Sequence, residues 1–156
     1  MDITAYKLLL FGHLTFVAAW VGGDVMLQAL SLRVFAAGPQ RRVEFLKDIE
    51  WVGTRVLTPA ALVVVIFGFG LLSKSSGAYD LGQTWVWLGL AVFVASFVTG
   101  AGFLGPESGR LGKLAEERGA EDPEVQRRIG RVMLISRIEL LFLVAVIFDM
   151  VVKPGL

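Results

Sequence analysis

The sequence predicts an all-α membrane protein: a polytopic bundle of four transmembrane helices with both termini outside the cytoplasm. Three observations predict it. Hydrophobic residues make up 55% of the 156 and charged residues only 19%, with a mean hydropathy of +0.68. A soluble domain carries roughly 25% charged residues. Four apolar runs, Leu8 to Leu32, Trp51 to Leu72, Thr84 to Leu104 and Val132 to Val152, each supply the roughly 20 residues that a bilayer core requires. Lysine and arginine alternate between the loops, ten on one side against three on the other, with Arg55 and Arg137 inside the spans. Loops rich in these residues stay in the cytoplasm.

The first run is read as a membrane helix rather than a signal peptide. Its leading stretch holds Asp2 and a single Lys7, and no small-residue cleavage site follows. Next comes a basic loop with Arg33, Arg41, Arg42 and Lys47. In the second run Pro59 is expected to kink the helix. The link 73–83 is short and polar, which predicts antiparallel neighbours. The third run ends in Gly100-Ala101-Gly102-Phe103-Leu104-Gly105, which matches G-x-G-x-x-G by letter. A dinucleotide fingerprint requires a preceding strand and a following helix, so small-residue packing in lipid is the better reading. Pro106 is expected to stop this helix, and 105–120 to form a short amphipathic helix on the membrane. Asp122-Pro123-Glu124 is a helix start: an acidic N-cap, proline in the first turn, then another acid. The helices are thus expected near 5–33, 50–73, 83–105 and 122–153 in one domain, 1–156.

Several functions are excluded by composition. A net charge of +1 does not suit nucleic acid. Without cysteine there is no disulfide, thiolate zinc site or covalent haem attachment, and His13 is the only histidine. What remains is the set of ionisable residues in the apolar runs, each costly in lipid and so in need of a partner or a purpose. Asp24, Arg55, Arg137 and Glu139 fall at one depth, with two charges of each sign. They are expected either to pair and fix helix register or to bind an anionic substrate group such as a propionate.

His13 and Asp149 fall in the outer part of the membrane. Tyr6, His13, Trp20 and Asp24 form one stripe of helix one, seven or eleven residues apart, facing the bundle centre or a second subunit of a homo-oligomer. For His13 three readings stand: a hydrogen-bonded histidine partnered by Asp149, an axial ligand to haem iron, or part of a proton relay. In the haem reading Asp149 holds the second ring nitrogen. Met26, Met133 and Met150 are read mainly as packing, and Trp51, Trp85 and Trp87 as interfacial anchors.

The stretch from His13 to Gly23, with Trp20, Gly22 and Gly23, resembles the signature H-x6-W-x-[AG]-G of small bacterial membrane proteins. These are related to the HemJ-type membrane protoporphyrinogen oxidase and to CopD-type copper-resistance domains. The ending Asp149 to Gly155, with Lys153-Pro154, resembles the closing K-P of the same group. Length and four spans are similar to the uncharacterised membrane family numbered 2269 among domains of unknown function. The resemblance implies a multi-pass protein of the bacterial cytoplasmic membrane that binds haem b through His13 and acts in redox or tetrapyrrole chemistry, with a redox partner. Arg137 and Glu139 loosely resemble the oxidase's R-x2-N-E. After Gly23 the chain reads Asp24-Val25-Met26-Leu27-Gln28, where the oxidase has a stretch ending in a second histidine. The alternative is a non-enzymatic membrane module whose intramembrane charges are structural or relay protons.

Overall fold

The computed structural model describes residues 3–155, and these are helical with no strand among them. Four long helices follow in order: α1 (Ile3–Ala36), α2 (Pro39–Lys74), α3 (Thr84–Arg118) and α4 (Pro123–Val152). Three of them, α1, α2 and α3, are long and apolar enough to cross a membrane. The apolar stretch of α4 is interrupted by Arg137, Glu139 and Asp149. With 30–36 residues each, the helices run roughly 45–54 Å at 1.5 Å per residue. A hydrocarbon core is about 30 Å thick, so one end of the bundle projects beyond it.

That projecting end corrects two expected boundaries. Helix α2 begins at Pro39 rather than near residue 50, because Gly38 turns the chain at φ 103° and proline suits a helix's first turn. Helix α3 does not stop at Pro106, and 105–118 does not lie apart on a membrane surface. Both helices instead widen for five residues into a π turn, Gly53–Leu57 in α2 and Gly100–Leu104 in α3. The N–H of Thr58 reaches back to the Gly53 carbonyl, and that of Gly105 to the Gly100 carbonyl. Pro59 and Pro106 then stand in the first turn of the resumed α segment, where a missing N–H is tolerated. Both turns share the spacing Gly-x5-Pro.

Beyond the π turns the polar ends of α2 and α3 pack on each other and on the start of α4. Val43, Leu46, Leu111, Val125, Ile129 and Val132 form their core, an amphipathic arrangement of the kind seen in soluble bundles. Asp122 caps α4 as expected, its Oδ1 accepting from Glu124 N at 2.8 Å and Val125 N at 3.3 Å. A half-buried Arg128–Glu107 pair at 2.6 Å ties α4 to α3.

In the apolar half the helices associate as two pairs. Helix α1 lies along α2, helix α3 lies along α4, and the pairs barely touch. Small residues set the α1–α2 seam: a Cβ at Gly12 would come to 2.8 Å from the Phe67 ring, and one at Gly23 to 2.7 Å from Leu57. Trp20 and Leu143 join the pairs in a cluster with Val21, Ala60, Ala61 and Val64. Phe93 meets the Trp20 indole edge-on, the centroids 6.0 Å apart.

Candidate functional site

The gap between the helix pairs contains two stacked cavities. The one farther from the polar end has a volume of about 310 Å³, and His13, Trp20, Gly68, Gly89, Phe93 and Met150 are on its wall. His13 donates from Nδ1 to the Val64 carbonyl on α2 at 2.9 Å. In the neutral ring this bond places the proton on Nδ1 and leaves the lone pair on Nε2. Gly68 lies one turn beyond Val64, and a Cβ there would be in van der Waals contact with His13 Cε1 at 3.5 Å, so the imidazole packs close against α2. Gly89 makes similar room for Met150, whose methyl group occupies the place of the missing Cβ.

At the mouth Lys153 ends α4 in a left-handed conformation, φ 48°, its N–H on the Asp149 carbonyl. Its ammonium stands 5.1 Å from the Tyr79 ring centroid and 5.7 Å from that of Trp85, within cation–π range. Trp85 is buried and meets Tyr79 edge-on, whereas Trp51 and Trp87 are exposed. Of the three methionines read mainly as packing, Met26 is exposed and Met133 belongs to the polar-end core. Met150 alone reaches the histidine cavity.

The expected pairing of His13 with Asp149 does not form. The imidazole bonds a carbonyl instead, and neither Asp149 carboxylate oxygen, though buried, has a hydrogen-bond partner among the described residues. Depth in the membrane matches, but the glycine seam draws α1 onto α2, so His13 faces α2. The stripe Tyr6, His13, Trp20 and Asp24 does line the bundle interior. Trp20 and Leu143 belong to both cavities and form the floor between them.

Below that floor lies a second cavity of about 210 Å³, framed by the two π turns. Asp24 from α1 and Glu139 from α4 supply its charge, with Gln28, Ser96 and Ser136 beside them. Arg55 and Arg137 are exposed side chains, and no ion pair among the described residues joins either to Asp24 or Glu139. The expected neutral layer of four charges is corrected accordingly. At 100° per residue Arg137 and Glu139 are about 200° apart on α4, so when one faces in the other faces out. Gln28 donates to Ser136 Oγ at 2.6 Å and links α1 to α4. Gln28 and Ser136 were not singled out from the sequence, although a glutamine one turn from an aspartate in an apolar helix is a readable signal.

Among the described residues no three His, Cys, Asp or Glu side chains gather around a metal site. A haem b or porphyrin ring would need an imidazole donor and apolar walls; this cavity has the oriented His13 ring, aromatic and aliphatic walls, the Met150 thioether and the Lys153 ammonium at one end. In comparisons with protein-family models, curated proteins and solved structures, the chain matches none.

Proposed function

We propose that this chain spans the bacterial cytoplasmic membrane four times, both termini outside, and binds haem b or a related porphyrin through His13 for redox or tetrapyrrole chemistry. The hydrogen bond from His13 Nδ1 to the Val64 carbonyl carries the reading, because it orients the ring and makes Nε2 the better ligand. Haem, when bound, supplies one-electron chemistry. The chain's own groups hold it: Nε2 of His13 as ligand, the Trp20 and Phe93 rings as walls, and the Lys153 ammonium as partner for carboxylates at the mouth. Since the helix pairs barely touch beside this cavity, a lipid-soluble ligand enters sideways from the outer leaflet. The orientation follows from the basic residues gathered at the polar end. A resemblance of the first-helix residues to the H-x6-W-x-[AG]-G signature supports the same ligand.

Absorption of protein purified in detergent from haem-replete cells tests this reading. A Soret band is expected in the wild type and lost in His13→Ala at unchanged helicity. Colourless protein that also fails to take up added haemin would refute it. The competing reading, a membrane module without enzymatic activity, draws on the carboxylate cavity below.

A further inference from the structure

The second cavity places two acidic side chains in the apolar half of the bundle without an arginine between them. Asp24 is only 9% exposed and forms no ion pair among the described residues. Glu139 lines the same cavity from α4 and likewise forms no ion pair among the described residues. Gln28, one turn along α1, gives one amide N–H to Ser136 Oγ and the other towards the Asp24 carboxylate, while its Oε1 is buried and accepts nothing. Two carboxylates and an unpaired amide oxygen thus line one cavity from α1 and α4. A cavity of that composition at membrane depth lacks a positive charge.

The backbone adds further acceptors. Pro59 and Pro106 have no N–H to give, so each leaves a carbonyl of the preceding π turn without its usual intrahelical donor. Those two turns frame this cavity, with Thr54 and Thr58 from α2 and Gly100 and Ala101 from α3 on its wall. A Cβ at Gly100 would lie 3.7 Å from Glu139 Oε1, which places the carboxylate next to this turn. Carbonyls released by helix irregularities, combined with carboxylates, are how membrane proteins hold desolvated cations. Oxygen alone as donor selects hard ions over zinc or copper.

We propose that the carboxylate cavity is a binding site for a hard metal cation, with Asp24 and Glu139 as charged ligands and Gln28 Oε1 as a neutral one. One divalent ion, or one sodium ion with one proton, balances the two carboxylates. Protons compete, and no other titratable side chain contributes: α2 and α3 present only Thr54, Thr58 and Ser96 as polar side chains. The site is independent of any ligand in the histidine cavity.

The experiment uses the purified full chain in nanodiscs, with choline chloride holding ionic strength constant. Thermal midpoint and isothermal titration are read against sodium, magnesium and calcium chlorides, each at pH 6 and pH 8. A saturable rise in midpoint with one of these ions is expected, with at least tenfold tighter binding at pH 8. Asp24→Asn and Glu139→Gln are expected to weaken binding at least tenfold, and Gln28→Leu by a smaller factor. Should the carboxylate variants fail to fold, the pH competition in wild type and the Gln28→Leu titration decide. Absence of a saturable response to all three ions at pH 8, or a response undiminished in the variants, overturns the proposal.

Discussion

Leu111 offers the sharpest test of what holds the two helix pairs together. It lies on α3 beyond the π turn, is 0% exposed, and packs in the cluster with Val43, Leu46, Ile129 and Val132. This cluster lies at the polar end, where water is the alternative solvent and burial carries its full hydrophobic value. Leu→Ala in such a site costs about 2.7–5.0 kcal/mol, depending on how far the cavity collapses. Three helices converge here and restrict collapse, so about 3 kcal/mol is expected. A chain of this size loses roughly 2–4 °C per kcal/mol, which gives a fall of about 6–12 °C. The assay is thermal unfolding followed by circular dichroism in a fixed detergent. Leu141→Ala is the control, since that side chain is 70% exposed on the apolar half; its change is expected to stay within about 2 °C, as for surface positions generally. A fall of less than about 2 °C in Leu111→Ala, or an equal fall in both, would refute the reasoning.

Two further outcomes are expected. A periplasm-active reporter fused after Leu156 is active and one inserted between Gly112 and Gly119 is silent; the reverse pattern breaks the proposed orientation. The exposed Lys47–Glu116 pair at 2.8 Å holds the Glu116 carboxyl below its ordinary value, chiefly through the lysine's hydrogen bond. Its contribution is therefore present above the usual glutamate range and lost as pH falls through the lowered value. Exposed pairs are weak, so Glu116→Gln should leave the midpoint at pH 7 within about 2 °C and flatten its decline towards pH 3; an unchanged acid limb counts against the pair.

The apolar runs were legible because a helix in lipid announces itself by composition alone. The extension 39–52 was not, since its signal is an amphipathic stripe shorter than the spans; 105–118 was legible as an amphipathic helix but not as the continuation of α3, because Pro106 reads as a stop. Pro106 is a stop only if the helix before it is regular. A π turn alters where the proline ring falls, and nothing in Gly100 to Gly105 declares that turn except its match to Gly53…Pro59. In the site, Trp20 and Asp24 sharing a face with His13 followed from helical periodicity and holds. The His13–Asp149 pairing did not follow, because depth can be counted along a sequence whereas lateral neighbours are chosen by packing, here by Gly12 and Gly23. Arg137 and Glu139 could have been separated by the same arithmetic that aligned the stripe of α1.

Side-chain length explains why the charges sort as they do. Arg55 and Arg137 sit on the outside of an apolar bundle half, yet each has a long stem that can carry its guanidinium towards the headgroups while the stem stays in lipid. Asp24 and Glu139 have one and two methylenes and cannot reach an interface from the same depth, so a carboxylate at that level must face protein or a polar cavity. The four residues that composition groups as a neutral layer are thus divided by geometry: cations turn out towards the membrane surface, anions turn in. That division leaves Asp24 and Glu139 without an arginine below the Trp20–Leu143 floor and the oriented imidazole of His13 above it. The π turns lie where the polar-end core gives way to the two helix pairs, and both line the cavity that holds the carboxylates.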